Sequence, residues 1–330
     1  MGDFLTLGHG SGGRLTNDLV RRITSVFPAP ETPSAFEDCA YLPDGYAMTL
    51  DGFTVSPRVF PGGDIGKLSI CGSVNDLAVR GVRPEWIAMG LILEEGIAEE
   101  EVIGYMRSAA LVCKELGITL TCGDTKVVPH GAADGVFITT CATGRRETAR
   151  NLGMHALRPG DHLILSRSYG RHGATIAAQR FDLDVPGLAS DCAPLWEPAR
   201  ALLDIGGLRC MRDCTRGGTG TVLCEWAEGA GVGIEIREDD LPRDPDVLSV
   251  CDILGFDPLY LACEGCMIVA VSAEDADTVL SRLAQFAPCS GAADIGVVTE
   301  GHPGLVGMRT HIGGHRVVDM PVGEILPRIC

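Results

Sequence analysis

The sequence predicts an α/β protein (α+β by strict classification). It reads as two domains of strands covered by helices, followed by a mobile C-terminal tail. Three observations carry that reading. A chain of 330 residues is long enough for two cores. Strand-like and helix-like apolar periods alternate on both sides of a polar turn at Arg158-Pro159-Gly160-Asp161. The last ten residues hold Pro321, Gly323 and Pro327, which suit neither a helix nor a central strand. The expected division is 1–157, 158–320 and a flexible tail over 321–330 that carries Cys330.

The elements follow in order. Phe4 to Leu7 reads as a short strand, then the glycine run from Gly8 to Gly13. A helix is expected over about Thr16 to Phe27, with Leu15, Leu19 and Ile23 on one face, ended by Pro28 and Pro30. Tyr46 to Leu50 is a strand ending at Asp51, and Asp64 caps a helix to about Val79. Trp86 to Leu93 is an apolar strand. Val102, Met106, Ala109, Cys113 and Leu116 make a helical stripe, and Glu99 to Glu101 sit in its first turn, where the dipole favours them. Ile118 to Cys122 is a strand with Gly123 and Asp124 at its end, and Gly135 to Thr143 is another. The second half runs through a strand from His162 to Ser166 and helices from about His172 and Thr219. Strands are expected near 232–236, 266–271, 294–298, 305–309 and 315–319, with helices near 245–254 and 273–286 between them.

Composition excludes several classes. Apolar content of 45% and charged content of 22% suit a globular chain. With 27 basic and 44 acidic residues the net charge is −17, which argues against a nucleic-acid partner. It leaves nucleotides open, because carboxylates hold Mg²⁺ against polyphosphates. The N-terminus shows no signal peptide, and no apolar run reaches membrane-spanning length, so no membrane association and a cytoplasmic location are expected. There the 14 cysteines should be free thiols. Cys263 and Cys266 have metal-ligand spacing, but no second pair follows to complete a zinc site.

The chemistry-bearing pattern is a set of aspartates beside glycines or at element ends: Asp38, Asp51, Asp76, Asp124 and Asp213. Such carboxylates repel one another unless a hard cation sits among them. Lys126, just after Asp124, is the type of residue that neutralises a transferred phosphoryl group. Gly8-x-Gly10-x-x-Gly13 fits the dinucleotide pattern but lacks the strand and βαβ unit around it. The P-loop pattern fails, because Arg14 and Leu15 replace its Lys and Ser/Thr. The tail, fully extended, reaches roughly 33–36 Å, enough to carry the Cys330 thiol into a pocket.

Several stretches resemble the HypE family of hydrogenase maturation proteins along nearly the whole chain. They are His9-Gly10-Ser11-Gly12-Gly13, Phe60 to Leu68, Asn75-Asp76, Gly123 to Val128, His172 to Thr175, Asp213 to Gly218, Glu264-Gly265 and Pro327-Arg328-Ile329-Cys330. Most are shared with the wider superfamily of aminoimidazole ribonucleotide synthetase, selenophosphate synthetase and thiamine-monophosphate kinase. The terminal Pro-Arg-Ile-Cys is the most specific. The resemblance implies two domains of the aminoimidazole ribonucleotide synthetase type and an ATP-dependent carbamoyl dehydratase acting on its own Cys330. In that family HypF carbamoylates the terminal cysteine, ATP and Mg²⁺ drive dehydration to a thiocyanate, and the cyanide passes to a HypC–HypD complex for [NiFe] hydrogenase iron. A homodimer is implied as well. By the same resemblance Asp38, Asp51, Asp76 and Asp213 are metal ligands, and with Lys67, Asn75 and Asp124 they bind the nucleotide. Cys330, Lys126 and Glu264 are catalytic, Glu264 taking the nitrogen proton. Cys214 and Cys263 stand where other members carry non-thiol residues. The competing reading is a superfamily kinase or synthetase acting on a small diffusible substrate, with Cys330 incidental.

Overall fold

The computed structural model describes residues 4–28, 37–323, 326 and 328–330. Pro30 and Pro327 lie outside that set. In the first half, α1 is Arg14–Thr24, and β1 (Ala40–Tyr41) and β2 (Tyr46–Phe53) form a hairpin. A two-stranded ribbon, β3 (Val59–Phe60) with β4 (Gly63–Asp64), leads into α2 (Ile65–Val79). Then come β5 (Val82–Glu94), α3 (Glu99–Leu116), β6 (Thr119–Val128) and β7 (Val136–Arg146). The sheet order is β1-β2-β7-β5-β6. Only β5 and β6 run parallel, joined by the α3 crossover, and the other neighbours are antiparallel.

The second half builds a seven-stranded sheet from β8 (His162–Leu165), β9 (Leu208–Asp213), β10 (Gly233–Arg237), β11 (Met267–Val271), β12 (Ala293–Thr299), β13 (Val306–Arg309) and β14 (His315–Val318). Its order is β14-β13-β10-β12-β8-β11-β9. The helices are α4 (Arg171–Arg180), α5 (Trp196–Arg200), α6 (Gly218–Ala230), α7 (Pro245–Leu254) and α8 (Ala276–Leu283).

Helix α2 joins the halves. It is mostly apolar and buried on nearly every face, yet it carries Ser73, Asn75 and Asp76 into the interior. Of its 15 residues only Lys67 and Asp76 escape full burial. Asp64 caps it as expected, accepting the Lys67 N–H at 2.9 Å. The α3 reading also holds: Gly117 ends the helix in a left-handed conformation, and Val102, Ala109 and Val112 face the core.

Three readings need correction. Phe4 to Leu7 is not a strand; a 3₁₀ turn covers Leu7–Gly10. Asp51 and Asp124 lie inside β2 and β6, not at strand ends, because backbone pairing runs on past both. The α1 helix forms at the expected place, but it contributes no buried residue: of its expected stripe Ile23 is exposed and Leu15 and Leu19 are only partly covered. Strand β9 (Leu208–Asp213), which delivers Asp213, and the short α5 escaped the sequence reading.

Candidate active site

Four aspartates converge where the two halves meet. Asp38 precedes β1, Asp51 is on β2, Asp76 is on α2 and Asp213 is the last residue of β9. Carboxylate oxygens of Asp38, Asp76 and Asp213 all lie within 4.8 Å of one another. Each is partly held. Arg212 Nε meets Asp38 Oδ1 at 3.0 Å, and the Thr49 hydroxyl donates to Asp76 Oδ2 at 2.6 Å. The Ser73 hydroxyl donates to Asp51 Oδ2 at 3.1 Å. Asp213 Oδ2 is buried with no hydrogen-bond partner. Burial comes first in raising the Asp213 pKa to about 8, and the neighbouring Asp38 and Asp51 add to it. Burial raises Asp76 well above the usual carboxylate range, with Asp51 and Asp213 next in effect. An orphaned carboxylate oxygen in an all-oxygen donor set fits a hard divalent cation such as Mg²⁺.

Glu264 is built in with more care than any other acid. The N–H groups of Glu264 and Gly265 donate to the two oxygens of buried Asp191 at 3.1 and 3.2 Å. The Glu264 carbonyl accepts from Asn75 Nδ2 and from the Ala193 N–H, each at 3.2 Å. Asn75 Oδ1 takes the Leu195 N–H at 2.8 Å. Asn75 therefore spends its amide on the Glu264 loop and the Ala193–Leu195 segment. Gly265 is obligatory, since a Cβ there would sit 1.9 Å from the Asp191 carbonyl oxygen. Glu264 Oε1 is left buried and unpartnered. Burial, helped by Cys192 and Asp213, raises its pKa well above the ordinary value, so it holds its proton tightly.

The tail is docked rather than free. Residues 328–330 lie along residues 54–56 like an added strand. The Thr54 N–H donates to the Cys330 main-chain oxygen at 2.8 Å, and the Ser56 N–H to the Arg328 carbonyl at 3.2 Å. From the other half, α4 closes over the tail. His172 Nε2 meets the Ile329 carbonyl at 2.7 Å, and Arg180 Nη2 donates to the Arg328 carbonyl at 2.5 Å. A carbonyl only accepts, so His172 carries its proton on Nε2, and its Nδ1 faces the Ser190 hydroxyl at 2.8 Å. Burial keeps this imidazole neutral, lowering its pKa to about 4. The Arg328 side chain donates to the Thr54 carbonyl at 2.9 Å and pairs with Asp134 at 2.5 Å. At the base of the tail, the Arg14 N–H donates to the Pro321 carbonyl at 3.1 Å. Gly13 has a φ of +81°, and a Cβ there would come within 2.5 Å of that same oxygen.

Cys330 thereby enters a cleft of about 280 Å³ lined by Leu7, Ser11, Gly52, Thr54 and Arg216. Burial pushes its thiol up to about 12; Arg216 pulls the other way, while Glu264, Asp51 and Asp213 add to the rise. Cys330, the clustered aspartates and Glu264 thus share one electrostatic environment.

The remaining expected residues lie apart from this centre. Lys126 Nζ is bound to both oxygens of Asp124, at 2.9 and 2.7 Å, on the sheet-edge strand β6. That strand is exposed over Thr119–Val127. Lys67 Nζ donates to the Gly62 carbonyl at 2.8 Å. Cys214, Cys263 and Cys266 are fully buried together in the second core, so the two thiols beside Asp213 and Glu264 are shielded from reagents. Among the described residues the three aspartates are the only group arranged to hold a metal. Sequence reasoning assigned no role to His172, Arg180, Asp191 or Arg216. His172 and Arg216 lie inside motifs quoted above, and that was the available signal.

The arrangement defines a class: a two-domain protein related to aminoimidazole ribonucleotide synthetase. Residues 36–146 match the model of the AIR synthase related protein N-terminal domain, and residues 158–307 that of its C-terminal domain. The chain belongs to the carbamoyl dehydratase HypE family of hydrogenase maturation enzymes. It is 44% identical to the carbamoyl dehydratase HypE of Rhodobacter capsulatus, covering 99% of this chain and 98% of that one. A solved HypE in complex with ATP superimposes with a TM-score of 0.85 at 37% identity, covering 99% of this chain and all of the other. HypE from a solved HypE–HypF complex gives 0.87 at 37% identity, covering 92% and 99%. No helix among the described residues is long and apolar enough to cross a membrane.

Proposed function

We propose that this protein uses Mg-ATP to dehydrate a carbamoyl group carried on its own Cys330. The observation that carries the reading is the docked tail. A tail on a kinase for diffusible substrates has no reason to occupy the reaction cleft; a tail that carries the substrate must.

A carboxamide oxygen is a very poor leaving group. Transfer of the γ-phosphoryl group forms an O–P bond at that oxygen and breaks the β–γ anhydride, releasing ADP. Departure of phosphate breaks the C–O bond, the N–H electrons complete the nitrile, and the proton goes to a base. Glu264, buried and unpartnered, is that base; burial favours its neutral form, so it acts only after giving up its own proton. Asp38, Asp76 and Asp213 would hold Mg²⁺, with Asp51 beside them. The ion would offset negative charge on the phosphates.

Lys126, Asp124 and Lys67 belong to nucleotide binding in this reading. For Lys126 and Asp124 that requires a homodimer, in which the bare edge β6 pairs with a second copy and brings them to the phosphates. An edge strand exposed over nine residues needs such a cover. HypF, named in the complex of the related HypE, is the carbamoyl donor. A HypC–HypD pair receives the cyanide, and the work is cytoplasmic. The division 1–157, 158–320 and a tail that undocks for each partner completes the reading.

The test is intact-mass analysis with mapping of the Cys330 peptide after HypF, carbamoyl phosphate and Mg-ATP. A carbamoyl adduct that loses one water supports the reading; an adduct that persists makes the protein a carrier. Glu264→Gln should load normally and keep the water, and full dehydration by that variant would remove Glu264 from its role.

A further inference from the structure

The reaction leaves one position without an assigned receiver, the carboxamide oxygen. Carbamoylation adds a carbon, an oxygen and a nitrogen to Sγ of Cys330, and all must fit the cleft around it. The oxygen first takes a phosphoryl group and then leaves with it. Its receiver must donate hydrogen bonds, tolerate growing negative charge and never compete for the proton. Arginine meets all three requirements.

The donors around Cys330 are mostly spent. The Ser11 hydroxyl is turned to the Leu7 carbonyl at 3.0 Å. Thr54 uses its N–H and hydroxyl on the Cys330 main-chain oxygen. Both nitrogens of His172 are engaged. Arg328 gives Nε to the Thr54 carbonyl and Nη1 to Asp134, which leaves only its buried Nη2 without a partner. Arg216 lines the same cleft and is exposed to solvent, and among the described residues no hydrogen bond or ion pair at contact distance holds its guanidinium. Its charge is felt by Cys330, Asp51, Glu264 and Asp76 together. The loop that carries it is fixed at both ends: Asp213 precedes it in the metal cluster, and Gly217 and Gly218 turn it into α6. Its carbonyl packs 3.0 Å from where a Gly12 Cβ would lie.

We propose that Arg216 is a catalytic residue that receives the carboxamide oxygen of carbamoylated Cys330 and keeps hold of it through phosphorylation and departure. The inference rests on the dehydratase reading. In the balance above, Arg216 stays protonated throughout, the O–P bond forms and the C–O bond breaks within its reach, and Glu264 alone takes the nitrogen proton.

The test uses the full chain, loaded with HypF and carbamoyl phosphate, then followed through one turnover with Mg-ATP by intact mass. Wild type losing one water establishes the parent reading; wild type that stays carbamoylated would end that reading, whatever the variants do. Given a working wild type, Arg216→Ala should bind ATP and load carbamoyl normally but dehydrate about 10²–10³-fold more slowly, the usual loss for one oxyanion donor. Added guanidinium ion should restore part of the rate. Arg216→Lys, which keeps the charge and loses the fork, should fall between and replaces Ala if that variant does not fold. Dehydration by folded variants at the wild-type rate overturns the proposal. So does a defect confined to loading, which would make Arg216 a thiolate stabiliser instead.

Discussion

Replacing Asp213 with Asn should stabilise the metal-free protein while abolishing its response to Mg²⁺. Asp213 Oδ2 is buried without a partner beside two other carboxylates, and its pKa stands at about 8 against an ordinary 3.8. The folded state therefore holds a proton that the unfolded chain releases. Stability from this group is complete below about pH 4 and is lost as pH rises through about 8. Four pH units at 1.36 kcal/mol each set a ceiling of about 5 kcal/mol. Asp38 and Asp76 share the repulsion, so removing one member should recover about 1–3 kcal/mol. For a chain of this size that corresponds to roughly 1.5–4.5 °C in Tm. The assay is thermal unfolding in EDTA from pH 5 to 8.5, repeated in excess Mg²⁺. The difference between Asn variant and wild type should widen with pH in EDTA and reverse in Mg²⁺. A variant no more stable than wild type at pH 8 in EDTA, or one stabilised equally by Mg²⁺, would refute the reasoning.

Two further outcomes follow from the same geometry. A docked Cys330 thiol near 12 carries about 1000-fold less thiolate at neutral pH than an ordinary cysteine, so it should alkylate slowly beside the exposed Cys122 as internal reference. His172→Ala, which removes the hold on the Ile329 carbonyl, should raise Cys330 alkylation at least tenfold and leave Cys122 unchanged; equal rates would mean His172 does not hold the tail. Leu120→Lys on the bare β6 edge should give a monomer by light scattering with weakened Mg-ATP binding, whereas a monomer that binds ATP normally would place Lys126 and Asp124 outside the nucleotide site.

Much of this centre was legible in the sequence because its residues are local in type. An aspartate beside a glycine marks a turn or a cap, and Asp64 does cap α2. The convergence of Asp38, Asp76 and Asp213 could be anticipated because several acids at element ends imply a cation. What the sequence could not give was distance between elements. Asn75 looked like part of a nucleotide motif, but it lies opposite the Glu264 loop, about 190 residues away in the chain, and holds it. Lys126 looked like a neighbour of the acids, but strand β5 and its pairing carry it to the sheet edge. Arg216 and His172 sat in plain view within quoted motifs, and only the docked tail reveals what each faces. The only partly covered stripe of α1 has the same origin: a 3.6-residue period marks an apolar face but does not say what covers it.

The account stands or falls on a nitrile at Cys330. Its most direct test is the infrared spectrum of a single turnover with HypF, ¹³C-labelled carbamoyl phosphate and Mg-ATP. A C≡N stretch should appear only with ATP, shift with the label, and travel with the peptide that ends in Cys330. ATP consumption with a carbamoylated Cys330 and no nitrile band would contradict it.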